Sequence, residues 1–227
     1  MQKQLFLFGD SHLVAVKAGF DQLGGGIAVA GGPISLSPTW AENFHSGLTH
    51  TADGQPLLTL TQDRSRDILK QFTGMRGQET DNFLEIRLPL VLSVNMLTLA
   101  PLYWEWLEYS HINPNARHRI SRQLFDTITN SLCDQDVPHV ALIPPGMRSN
   151  ATHQGELFLA LRDNFIATLR SYGTPVLDIT EQTCDANGIL AERYWVEDQR
   201  DQTHANTLWG KEMARACMAT LFTVATD

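Results

Sequence analysis

Cysteine is scarce in this chain of 227 residues, with only Cys133, Cys184 and Cys217 present, an odd number at wide spacings. That excludes a disulfide framework and a clustered thiolate metal site, and it makes a reduced compartment the expected setting. Positive charge is scarce too. Seventeen Lys and Arg stand against 25 Asp and Glu, for a formal net charge of −8, and no basic cluster appears. Nucleic acid and anionic membrane surfaces are therefore not expected partners. Uninterrupted apolar runs of spanning length are also missing. The stretch from Leu88 to Leu107 carries one charge, Glu105, but Pro89 and Pro101 interrupt it and Asn95 sits near its middle, so no membrane span is expected. The chain passes within a few residues into its first apolar segment, which leaves no room for the regions of a signal peptide; a cytoplasmic protein is the expectation. No internal repeat or low-complexity tract is visible.

What is present suits one folded domain over residues 1–227. Hydrophobic residues make up 43% and charged residues 19%, which is incompatible with global disorder, and a chain of this length buries a sizeable core. Strand and helix signals alternate. Leu5 to Phe8 is a run of bulky apolar residues ending at Gly9, the pattern of a strand buried on both faces. The residues from Leu13 to Phe20 read as the start of an apolar helix, Ile27 to Ala30 as a second strand and Leu90 to Leu92 as a third. Helices are expected from Arg119 to Leu132, from Gln154 to Tyr172 and from Leu208 to Leu221, with strands from His139 to Ile143 and from Pro175 to Ile179. This alternation predicts an α/β fold, a three-layer α/β/α sandwich around a central, mostly parallel sheet. The segment 46–82 reads as an insertion between the second and third strands, with a turn at Ala52-Asp53-Gly54 and a helix from Arg64 to Phe72; such loops often shape substrate pockets.

Two short motifs at opposite ends carry the chemistry. Gly9-Asp10-Ser11-His12 follows the first strand, and Asp201-Gln202-Thr203-His204 precedes the last helix. A serine hydroxyl is a poor nucleophile at neutral pH unless an imidazole takes its proton and an anion orients that imidazole. The distal motif supplies both. Ser11 falls in a strand-to-helix turn, where free helix-start amides favour developing negative charge. Asp198 is a competing carboxylate, but the three-residue spacing of Asp201 lets one tight turn bring it to the imidazole.

With these residues in view, the chain resembles the SGNH hydrolases, the GDSL-type esterase and lipase superfamily. Gly9-Asp10-Ser11-His12 matches the nucleophile block with His in place of the usual Leu. Asp201-x-x-His204 matches the C-terminal block, which Ala205-Asn206 and Gly210 extend. The resemblance spans the full length and implies a flavodoxin-like fold with Ser11 as nucleophile, His204 as base and Asp201 as its orienting carboxylate. It also implies an oxyanion hole, formed by the N–H of Ser11, the N–H of a glycine after the second strand and an asparagine side chain after the third. Gly31 and Gly32 are the candidate glycines. Ser93-Val94-Asn95-Met96 retains the asparagine without its usual Gly and Asp neighbours, so Asn95 is the choice and Asn82 the reserve. Three donors of this kind are each worth roughly 2.7–4 kcal/mol of transition-state stabilisation.

The activity so implied is hydrolysis of a carboxylic ester through an acyl-enzyme on Ser11, with O-acetyl or other short acyl esters of carbohydrates or small molecules as the substrate class. Two alternatives share the fold: an acyltransferase using the same triad, and a non-catalytic binding protein with an incomplete oxyanion hole. No metal or cofactor is expected. Asp-x-His after a strand also opens two-metal phosphoesterases, but those need several further ligands, and His45, His50, His111, His118, His139 and His153 are scattered without paired spacing and read mostly as surface residues. Asp10 and His12 are pocket candidates, with Asp10 also stabilising the nucleophile turn. The cluster from Tyr103 to Leu107 is either a cover over the site or an aromatic patch packed elsewhere.

Overall fold

The structure is a computed structural model of the chain. It describes residues 3–24, 26–33, 48–54, 56–58, 70, 82, 88–93, 129–130, 132–134, 136–148, 152–198, 201 and 204–222. The first strand, β1 (Lys3–Gly9), runs into helix α1 (Leu13–Leu23) and then β2 (Ile27–Pro33). Two short strands, β3 (Leu48–His50) and β4 (Pro56–Leu58), pair antiparallel in a sheet of their own within the expected insertion. The main sheet continues with β5 (Leu90–Ser93), β6 (His139–Leu142) and β7 (Val176–Leu177), and helices α2 (Thr152–Ser171), α3 (Thr180–Thr183) and α4 (Thr207–Phe222), with a short 3-10 turn at Glu192–Tyr194, complete the described elements.

The five-stranded sheet has the order β2-β1-β5-β6-β7, and every pairing in it is parallel. With the hairpin set aside, this is the doubly wound order in which the first strand lies inside the sheet, between β2 and β5, and the direction of winding reverses beside it. Ser11 follows that strand. Ligands bind in such sheets beyond the carboxyl ends of the strands at the reversal.

The buried apolar run explains the position of β1. Leu5, Leu7, Val91, Val140 and Leu142 join one core cluster with Val16 and Phe20 of α1 and Trp209, Met213 and Cys217 of α4. By the pleat, Phe6, Phe8, Leu90, Leu92 and Ala141 face the other way, and they too are buried. A sheet covered on both faces is the three-layer sandwich the alternation of elements predicts.

Helices α1 and α4 lie against each other at an unusually close crossing. A Cβ added to Gly19 would stand 2.3 Å from the Gly210 carbonyl carbon, and one added to Gly210 would stand 1.8 Å from the Ala15 carbonyl oxygen. Only glycine at both positions lets the two backbones approach this far. The crossing brings the start of α1, and with it Ser11, to the start of α4.

Several expectations need adjustment. Gly31 and Gly32 do not follow the second strand: they continue it, level with Leu7 and Phe8 of β1, because the parallel ladder runs on to Pro33. The strand expected from Pro175 to Ile179 is reduced to Val176–Leu177, which among the described residues pairs with one neighbour, β6. His139 is buried and not a surface residue; its Nδ1 donates to the Val137 carbonyl at 2.9 Å, and its Nε2 lies 3.5 Å from Thr174 Oγ1. The turn at Ala52-Asp53-Gly54 is present, closed by Gly54 N–H to the Thr51 carbonyl at 3.0 Å. Most of the expected helix from Arg119 to Leu132 and of that from Arg64 to Phe72, together with the cluster Tyr103 to Leu107, lies outside the described residues. Among the described residues, no helix is long and apolar enough to cross a membrane.

Candidate active site

The turn that carries Ser11 is assembled from the end of β1 and the end of β5. Gly9 adopts φ of 148°, and a Cβ there would lie 1.9 Å from the Ser93 carbonyl oxygen. A side chain at this position would push the two strand ends apart. With glycine in place, Asp10 N–H donates to that same carbonyl at 2.9 Å, and the Ser93 hydroxyl donates to Asp10 Oδ1 at 2.5 Å. Oδ1 also accepts the His12 N–H at 3.1 Å. Asp10 is buried and lies beneath the turn, so its pocket candidacy is replaced by a structural part. Ser93 is the residue sequence reasoning missed here; its signal was a polar residue in place of glycine at the end of a fully buried strand.

Ser11 itself is exposed at the start of α1. Its Oγ lies 2.6 Å from His204 Nε2 although the two residues are separated by 193 positions. His204 Nδ1 lies 2.8 Å from Asp201 Oδ2, while Asp201 Oδ1 accepts the His204 backbone N–H at 3.0 Å. An ionised carboxylate only accepts, so the imidazole proton sits on Nδ1 and Nε2 is left to accept from the serine hydroxyl. Both oxygens of Asp201 thus hold the histidine, one through the ring and one through the main chain. Asp198 contributes a backbone carbonyl, which accepts the Asp201 N–H at 3.1 Å; Asp201 is the carboxylate on the ring.

Two further residues brace this arrangement. Arg148 is buried just after β6, and its Nη1 donates to the carbonyls of Asp198 at 2.8 Å and Asp201 at 2.7 Å. Its guanidinium lies 4.9 Å from the centre of the Trp195 ring, a cation–π contact. A cation bonded to both ends of the Asp198–Asp201 turn clamps the segment that carries the carboxylate. Nothing in the sequence around Pro144-Pro145-Gly146-Met147-Arg148 singled it out. Asn206 performs a similar service on the other side: its Oδ1 accepts from Leu208 N–H at 2.9 Å and Trp209 N–H at 3.3 Å, capping α4, and its amide donates to the carbonyls of Arg193 at 2.8 Å and Trp195 at 2.9 Å.

His12 is half-buried, with its ring centre 5.3 Å from that of His204. Burial pushes its pKa down; the Asp10 carboxylate works against this, and His204 adds to it. A neutral His12 ring therefore stands beside the His204 imidazole at neutral pH. Ser11, His12 and His204 line a cleft of about 470 Å³. Among the described residues no group of His, Cys, Asp and Glu could hold a metal ion.

Comparison with known proteins rests on shape. No protein-family model and no curated protein matches the sequence. Solved structures do match. An acetyl xylan esterase, AlAXEase, aligns over 96% of this chain and 100% of its own with a TM-score of 0.53 at 12% identity. A lipolytic protein of the G-D-S-L family from Desulfitobacterium hafniense aligns over 96% and 99% with a TM-score of 0.51 at 10% identity. A catalytic mutant of an acetylxylan esterase from Geobacillus stearothermophilus aligns over 98% and 97%, with a TM-score of 0.50 at 10% identity. The fold is that of the SGNH hydrolases.

Within the SGNH fold the remaining site candidates fall as follows. Among the described residues no acceptor takes the Ser11 backbone N–H. Gly31 and Gly32 sit near the end of β2 beside β1, and the Gly31 carbonyl accepts from Lys17 Nζ at 3.3 Å. Asn95 lies outside the described residues. Asn82, the reserve, is described and buried.

Proposed function

We propose that this protein is a serine esterase of the SGNH hydrolase type that cleaves a short acyl ester of a small molecule or carbohydrate. The observation that carries the reading is the hydrogen-bonded row from Asp201 through His204 to Ser11, at 2.8 and 2.6 Å. In the reaction Ser11 Oγ attacks the ester carbonyl as its proton passes to His204 Nε2, and the resulting imidazolium is held by Asp201. Charge collects on the carbonyl oxygen, where the N–H of Ser11, the N–H of Gly31 or Gly32 and the Asn95 amide stabilise it. His204 then hands its proton to the leaving alcohol. Water, activated by the same imidazole, releases the acyl group and restores the serine.

Hydrolysis is favoured over acyl transfer by solvent access: the His204 side chain is 37% exposed and Ser11 is exposed, so water reaches the acyl-enzyme. Labelling with a fluorophosphonate probe, together with turnover of acyl esters, tests the proposal. Wild type is expected to be modified at Ser11, and Ser11→Ala and His204→Ala are expected to lose about a thousandfold or more in kcat. Equal turnover by all three proteins, or a wild type that stays unlabelled, refutes it.

A further inference from the structure

The cleft beside the row has a chemical character of its own. Besides Ser11, His12 and His204 it is lined by Val14, Ala15 and Ala18 of α1 and by Val196, Ala205 and Trp209 on the opposite wall. Val14 is 57% exposed, and the described residues contain just one other exposed large hydrophobic, Leu208, in the turn that also carries Thr207 and Trp209. Apolar surface is thus left open to water where the two helix starts meet. Glu197 is the carboxylate of the lining, and Asn206 and Thr207 join Ser11, His12 and His204 as its other polar residues, with the Asn206 oxygen already taken by the cap of α4.

Stereochemistry says which part of an ester faces this wall. In the tetrahedral intermediate the acyl carbon carries Ser11 Oγ, the oxyanion, the leaving oxygen and the acyl substituent. The leaving oxygen must lie within hydrogen-bond reach of His204 Nε2 to take its proton, so the alcohol is on the imidazole side. The cleft is bounded by the His204 segment, and neither Gly31 nor Gly32 lines it. We propose, resting on the serine-esterase reading, that this cleft is the leaving-alcohol subsite and that it selects esters of neutral, apolar alcohols, aryl or alkyl, over esters of sugars or anionic alcohols. In the step concerned the Oγ–acyl bond forms, the acyl–O(alcohol) bond breaks, and the Ser11 proton travels through His204 to the departing oxygen. The alcohol leaves neutral, and Val14 and Val196 cover its apolar body until it does.

The test is a pair of ester series read as kcat/KM on wild type, Val14→Ser and Ser11→Ala. One series fixes acetate and varies the alcohol among methyl, butyl, benzyl and peracetylated glucose; the other fixes methanol and varies the acyl chain from acetate to hexanoate. Wild type is expected to prefer benzyl over methyl acetate by about tenfold, and Val14→Ser to reduce that ratio about fivefold while leaving the slope of the acyl series as it was. A Val14→Ser effect on the acyl series in place of the alcohol series overturns the assignment, as does peracetylated glucose outrunning benzyl acetate per acetyl group. Failure of the underlying reading is distinct: no ester is then turned over faster by wild type than by Ser11→Ala, and the inference falls with it.

Discussion

Replacing Gly210 with alanine tests whether the crossing of α1 and α4 holds the site together. The added methyl would sit 1.8 Å from the Ala15 carbonyl oxygen and 2.2 Å from its carbonyl carbon. Carbon–oxygen contacts are comfortable from roughly 3.3 Å, so the helices would have to part by about 1.5 Å. Two effects compete. Alanine is the better helix former by about 1 kcal/mol, whereas forced overpacking costs about 1–3 kcal/mol, and more when nothing flexible can move aside. The obstruction here is main chain, so the clash wins, with a net loss of about 1–2 kcal/mol and a fall in Tm of about 2–8 °C. The same displacement acts on the site. A Ser11–His204 distance of 2.6 Å lengthened by a comparable amount leaves hydrogen-bond range, and misplacement on the order of 1 Å costs about a hundredfold in rate. Thermal melting and ester turnover on one preparation read both consequences. A Gly210→Ala protein that melts above wild type, as helix propensity alone dictates, and keeps its turnover would refute the reasoning.

Three other outcomes follow from the same geometry. Truncating Arg148 to alanine leaves the Asp198 and Asp201 carbonyls without their cation; stability is expected to fall by about 2–3 kcal/mol and kcat by about tenfold with KM little changed, and an unaltered kcat would show that the clamp does not hold the carboxylate in place. His12 titrates below its ordinary 6.5 because burial disfavours its cation. The unfolded chain therefore takes up this proton first, so the contribution of His12 to stability is whole above about 6.5 and is lost as pH falls towards the lowered folded value. Urea unfolding from pH 8 down to 4.5 should show wild type losing stability relative to His12→Leu below about 6.5, and parallel profiles would contradict the assignment. Burial pushes the Cys217 thiol up to about 12, whereas Cys133 is exposed. Thiol-specific labelling of the native protein should modify Cys133 within minutes and Cys217 only on unfolding, as peptide mapping would read directly.

The parts of this architecture that were legible in the sequence are those written by short-range patterns. Four consecutive bulky residues from Leu5 to Phe8 leave few options other than a central parallel strand, and they end at a glycine whose neighbour Ser93 tolerates no side chain there. The three-residue spacing between Asp201 and His204 is local enough to be read as one turn, and the turn is present. Features that depend on what lies across space were not legible. Gly31 and Gly32 look like a turn by composition, and only the ladder with Leu7 and Phe8 draws them into β2. Ser93 acts through the buried Asp10 carboxylate and Arg148 through backbone carbonyls, and no residue type announces the positions of those partners. The apolar run from Pro175 to Ile179 does not encode the shortness of β7, which among the described residues pairs with β6.

The 193-residue separation between Ser11 and His204 has a consequence for the order of events during synthesis. Chains are synthesised amino end first, so the hydroxyl, its turn and the sticky stripe of Leu13, Val16 and Phe20 are made well before the helix that covers them. Until α4 has docked on that stripe, Ser11 lacks its His204 partner. The pairing of Ser11 with His204 and the burial of the first helix arrive together.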